Sequence, residues 1–220
     1  MKKSLSILFV LFCMVGDLYA DPPEYLFSEF KPARLVSKNL NLFKADVNYS
    51  FLLNKFLFKD VSDNNQIKEI DPSMGIRTIK VENRTFLINE KGVTKEVLQQ
   101  EPLITVQYKG KKKAEGKDAG YGGKSKTSAT DAYAYINTGG KMHKLSTAGY
   151  VFMGVDLLYE IDRENKTKTF MFASKFIKLY PQNLREQLKE YIKNQNIEFE
   201  HPEQVVNLYN YAESFVKEQK

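Results

Sequence analysis

The 220-residue chain has one cysteine, two histidines and no tryptophan. The cysteine, Cys13, lies in an apolar N-terminal stretch. The remainder therefore has no internal disulfide, no thiolate metal site and no thiol nucleophile. His143 and His201 lack H-x-x-x-H spacing, and each reads as a surface or capping residue. There is no G-x-S-x-G nucleophile elbow. An S-x-x-K match at Ser214–Lys217 falls in a C-terminal helical pattern without S-D-N or K-T-G partners, which argues for coincidence. Past residue 20, no apolar run reaches the ~20 residues that a spanning helix needs.

What is present begins with an address. "MKKSLSILFVLFCMVGDLYA" opens on Lys2 and Lys3, runs apolar from Leu5 to about Val15 and closes on turn-forming and small residues. That is the pattern of a secretory signal peptide over residues 1–20, with cleavage expected after Ala20. Phe12 before Cys13 argues against lipid attachment there. The expectation is an exported protein, periplasmic, envelope-associated or extracellular, with no membrane span after cleavage. A net charge of +6, from 33 Lys plus Arg against 27 Asp plus Glu, is mild. It is compatible with attraction to anionic glycans or lipid headgroups, and it also describes an ordinary mixed surface.

Between residues 21 and 173 the apolar pattern has the period of strands. In "NLFKADVNYSF", Phe43, Ala45, Val47, Tyr49 and Phe51 alternate with Lys44, Asp46, Asn48 and Ser50, predicting one buried and one wet face. "KFLFKDV" and "PLITVQYK" read as strands, "IRTIKVENRTFLI" as a hairpin turning at Glu82 and Asn83, and "VTKEVLQ" is ambiguous. Asn137 to Gly140 is a hairpin turn signal. Val151 to Ile161 alternates again, leading through "DRENK" into "TKTFMFA". From Ser174 the period becomes helical. "SKFIKLYP" predicts a short helix stopped by Pro181, Asn183 with Glu186 a capping box, and Pro202 the first turn of a last helix with Val205, Tyr209, Ala212 and Val216 inward. The expected class is α+β: a mainly antiparallel β body over 21–173 and a helical tail over 174–220, packed on the body or extending from it.

One segment draws attention for its chemistry. "KGKKKAEGKDAGYGGKSKTS", residues 109–128, contains Gly123, Lys124 and Ser125 in the order that ends a phosphate-binding loop. The first glycine of that motif is replaced by Asp118, whose carboxylate repels phosphate. The residues after Ser125 alternate like a strand, so no helix N-terminus faces the site. The segment reads instead as a flexible basic connection. Lys112, Lys113, Lys117, Tyr121 and Lys124 form its candidate contact set for an anion or a ring-bearing ligand. No cofactor, metal or catalytic residue is assigned. Glu69, Asp71, Asp131 and Asp156 are carboxylates in strand-like surroundings, where a glycosidase pair would be invisible to sequence. Asn48, Asn83 and Asn165 open N-x-[ST] triplets, expected to be unmodified in a bacterial chain.

With "NYSFLLNKFLF", "IRTIKVENRTFLI", "AGYGGKSKTSA" and the tail from "SKFIKLYPQNLREQLKEYI" to "NLYNYAE" in place, the chain resembles a loose group of uncharacterised bacterial secreted proteins. The resemblance implies a β-rich exported protein with a helical end, and no activity. The functional expectation is a non-enzymatic binding or structural protein of the envelope, whose partner is an envelope protein or an anionic polymer and not nucleic acid. A hydrolase of an envelope or extracellular polymer, using carboxylates hidden in the strands, is the alternative.

Overall fold

Two antiparallel meanders share one sheet. In the first, β1 (Lys31–Ser37), β2 (Leu42–Ser50), β3 (Lys55–Asp60) and β4 (Gln66–Glu69) follow one another outward. The chain then returns to the free side of β1 and lays down β5 (Ile76–Val81), β6 (Arg84–Ile88), β7 (Thr94–Gln99) and β8 (Ile104–Ala114) in the other direction. β13 (Tyr150–Arg163) and β14 (Lys166–Phe170) complete a ten-stranded sheet of order β14-β13-β8-β7-β6-β5-β1-β2-β3-β4. Between β8 and β13 lie two separate two-stranded pairs, β9 (Lys117–Ala119) with β10 (Gly123–Ser125) and β11 (Ala134–Thr138) with β12 (Lys141–Leu145). Helices α1 (Ala173–Ile177), α2 (Gln182–Asn194) and α3 (Pro202–Glu218) follow. The computed structural model describes residues 24–114, 117–119, 123–125, 134–138, 141–145, 150–163 and 166–218. The expected leader, Tyr121, Asp131 and Asn165 lie outside them.

Cross-strand register explains the core. Leu35, Ile79, Phe86, Glu96, Val106, Tyr159 and Phe170 are successive partners across β1, β5, β6, β7, β8, β13 and β14. Because side chains alternate along a strand, this row shares one face. All seven are buried, so this is the inner face. The helices cover its β7 to β14 side. Phe170 meets Phe176 at 5.1 Å between ring centroids, and the Tyr159 hydroxyl donates to the Phe199 carbonyl at 2.7 Å. Phe176, Leu188, Val205 and Leu208 join the same buried cluster as the strands. Each such side chain contributes on the order of 2 kcal/mol by leaving water.

The sheet also curls until its first meander meets its second. The Tyr49 hydroxyl on β2 donates to the Tyr108 carbonyl on β8 at 3.1 Å, although four strands separate them in the sheet. Phe51 stacks on Phe152 of β13 at 6.1 Å. Gly110 permits this closure: a Cβ there would stand 1.9 Å from the Phe51 carbonyl oxygen. Its N–H donates to Asn54 Oδ1 at 2.8 Å, so the β2–β3 turn rests directly on the backbone of β8.

Several local expectations change. In β2, Asn48 and Ser50 are buried while Phe43 is half exposed. Residues 24–27 pair beside the end of β2, covering Asn48 and Ser50, and β3 pairs with β2 only from Val47 onward, leaving Phe43 uncovered. Asn48 makes four hydrogen bonds, accepting from the Phe27 and Tyr49 N–H groups and donating to the Phe27 and Glu29 carbonyls. That fills the capacity of an amide and leaves no nitrogen free for a glycan. The Asn183 capping box does not form: α2 starts two residues earlier, with Pro181 at the N-cap and no side-chain cap bond. β8 runs on to Ala114 because β13 keeps pairing with it, as far as Tyr150 opposite Ala114.

Candidate functional site

The inner row contains one charged residue. Glu96 replaces an apolar side chain between Phe86 and Val106, with 6% of its surface exposed. A lone carboxylate there would cost several kcal/mol. Arg84, two residues before Phe86 and so on the same face, supplies the counter-charge. Its Nε and Nη2 each donate to Glu96 at 2.6 Å, a bidentate fork. Tyr108, two residues after Val106, donates its hydroxyl to Glu96 Oε2 and accepts from Arg84 Nη2 at 3.0 Å. The Arg84 guanidinium also lies 5.2 Å from the Phe27 ring centroid and 5.3 Å from that of Phe86.

The electrostatics follow from this closure. Burial raises the Tyr108 phenol far above its ordinary value, and the Glu96 carboxylate, by charge and by accepting its proton, raises it further. Burial by itself would lower Arg84, but the hydrogen bond and charge of Glu96 outweigh it and leave the guanidinium higher than usual. Tyr159 is raised by burial and then by Glu200, Glu203 and Glu96. The cluster is a bidentate carboxylate–guanidinium pair joined by a phenol that burial and Glu96 hold protonated. The Glu96 carboxylate is committed to two partners, which suits holding a shape and opposes proton transfer.

Above the triad an open groove of about 750 Å³ runs between the inner face and the start of α3. Val97, Leu98, Val155, Leu157 and Val206 give it apolar walls, and Glu200 and Glu203 stand at its helical rim. That combination, apolar walls with a few fixed polar groups, is the usual form of a small-molecule site. The sequence pointed elsewhere because "VTKEVLQ" has no clean period. The usable signal was the inward parity of Glu96 and Arg84, which depends on knowing the register.

The basic segment occupies a different region. Lys112 and Lys113 are exposed on consecutive positions of β8, opposite Phe152 and Val151, so they point to opposite faces. Lys117 pairs in register with Ser125, and Lys124 with Asp118, which gives these two lysines positions of opposite parity in the β9–β10 pair. The described part of this segment is thus strand, where sequence suggested a flexible loop. It does not gather Lys112 and Lys113 onto one surface. Tyr121 lies outside the described residues.

The remaining candidates have structural engagements. Glu69 pairs with Lys55 at 2.7 Å, Asp71 accepts from the Ser73 N–H at 2.8 Å, and Asp156 pairs with Lys111 at 2.9 Å. His201 lies 3.1 Å from Glu198, and His143 stands opposite Ile136 in the β11–β12 pair. Ser214 donates to the Tyr211 carbonyl of its own helix at 2.7 Å. Among the described residues no group of three His, Cys, Asp or Glu side chains is placed to hold a metal ion. No helix among them is long and apolar enough to cross a membrane. No family model, curated protein or solved structure matches this chain.

Proposed function

We propose that this chain is an exported, non-enzymatic binding protein of the bacterial envelope, which takes an apolar ligand into the groove between the inner face and α3. The observation that carries the reading is the groove itself, apolar along its walls and floored by a charge pair already satisfied from within. An apolar ligand displaces water from Val97, Leu98, Leu157 and Val206 without disturbing Arg84 or Glu96. Export is supported by the leader pattern of residues 1–20.

Titration with a neutral solvatochromic dye tests the binding. Saturable enhancement is expected for the native chain, with about a tenfold weaker affinity for Val206→Glu, since a charge on that wall must be desolvated. Absence of saturation, or a Val206→Glu variant that binds equally, overturns the reading. So does release of reducing ends from an envelope polymer that Glu96→Gln abolishes, which would make the protein a hydrolase.

A further inference from the structure

The outer face presents the converse of the triad. Lys80 on β5, Arg34 on β1 and Lys44 on β2 are direct cross-strand partners, and all three are exposed. Adjacent strands put neighbouring positions about 5 Å apart, and like charges directly opposite oppose sheet formation. Among the described residues no ion pair reaches any of the three, although Lys31, Lys55, Lys68, Lys95 and Lys111 all have carboxylate partners. Asp46 and Glu82 lie two residues further along their strands, on the side away from the β1–β2 turn.

Toward that turn the surface becomes apolar. Leu40 is 83% exposed, Leu42 58%, Phe43 50% and Met74 45%. Leu40 has φ 61°, a left-handed conformation that a bulky side chain adopts at a cost. It is held there: the Leu40 N–H donates to the Ser37 carbonyl, the Ser37 N–H to the Asn41 carbonyl, and the Asn41 N–H to Ser37 Oγ. The Lys38 N–H donates to the Gly75 carbonyl at 2.8 Å, tying in the turn that carries Met74. The left-handed residue closes the β1–β2 hairpin and holds the Leu40 side chain in water, within an exposed apolar patch of the kind that marks a contact surface.

From this arrangement we propose that the β1–β2 tip docks on an anionic lipid bilayer. Leu40, Leu42, Phe43 and Met74 enter the headgroup boundary, while Lys44, Arg34 and Lys80 meet lipid phosphates. The occupant is argued from charge complementarity and depth. The cation row follows the Leu42 and Val36 positions by two residues, about 7 Å along the strands. Apolar faces of interfacial elements bury to about 5–10 Å, which brings the cations to the level of the phosphates. The acidic residues Asp46 and Glu82 then lie farther from the surface.

The chain has no tryptophan, so Leu40→Trp in the full-length protein creates a single reporter at the tip. It reads the tip alone, whatever the N-terminal stretch does. A blue shift and protection from an aqueous quencher are expected on adding vesicles of phosphatidylcholine with phosphatidylglycerol. Pure phosphatidylcholine should give much less. Adding Arg34→Gln, Lys44→Gln and Lys80→Gln should lower the partition coefficient about 100-fold, roughly fivefold per cation. Phe43→Trp serves as a second reporter should the first variant fold poorly. No shift with anionic vesicles from either reporter overturns the proposal, as does an equal response to neutral vesicles. A lipid-independent shift that grows with protein concentration also overturns it and identifies a second copy as the occupant.

Discussion

The two faces of one sheet handle charge in opposite ways. On the inner face, Arg84, Glu96 and Tyr108 form a closed set of donors and acceptors among aromatic rings. On the outer face, Lys80, Arg34 and Lys44 stand side by side without a counter-ion among the described residues. Burial is the difference. Water screens the outer row to a small repulsion, whereas a buried charge must be matched almost completely. An unpaired charge is therefore tolerated on the wet face and free to meet an external anion. On the inner face the pair is already engaged, which, on the reading proposed above, leaves the groove to select by shape and apolar surface.

The most damaging way to break this contrast is to orphan a buried charge. Arg84→Met leaves the buried Glu96 carboxylate without its counter-charge and should cost about 3–5 kcal/mol in chemical denaturation. Replacing both, Glu96→Leu with Arg84→Met, should recover most of that loss. A single variant within about 1 kcal/mol of native would mean that the Glu96 charge does not depend on Arg84.

A smaller loss, about 1.5–3 kcal/mol, is expected for Tyr108→Phe, which removes a hydrogen bond to a charged acceptor. The same residue marks a pH boundary. Tyr49, Tyr108 and Tyr159 all have phenol pKa values raised by burial above the ordinary value of about 10. Their contribution to stability is complete below that ordinary value and is lost as pH rises through the folded values. Tyrosinate absorbance should show these three ionising only as the fold is lost. All 13 tyrosines titrating together near 10 in the folded protein would contradict the burial.

The outer row should respond least. Arg34→Gln removes the middle charge of three, and stability at low ionic strength should rise by a few tenths of a kcal/mol, an effect that vanishes in high salt. A salt-independent loss above about 1 kcal/mol would show that Arg34 has a structural partner and does not face outward unpaired.

Much of the fold was legible because period encodes it. Alternation in Val47, Tyr49 and Phe51 and in Val151 to Ile161 located strands, and the shift to helical spacing after Ser174 located the tail. Failures came where an element's surroundings, not its own pattern, set the outcome. Asn48 reads as a wet residue until residues 24–27 cover it. Asn183 and Glu186 form a helix-start signature, yet Pro181 occupies the cap position. The lysine-rich segment looked like loop because glycine and charge disfavour strands locally. β13 supplies the partner that extends β8 through Lys112 and Lys113.

The sequence by itself determined the α+β class and located several strands and the helical tail, since hydrophobic period and turn chemistry act within a few residues. Tertiary structure alone decided which alternate residues face each other across strands. Register turned "VTKEVLQ" into the strand that carries Glu96 between Phe86 and Val106, and it aligned Lys80, Arg34 and Lys44 from three distant stretches of chain. Cross-strand partners arise from pairing, and pairing is settled by how the whole sheet curls and buries its inner face. For that reason both candidate surfaces emerge only from the folded chain.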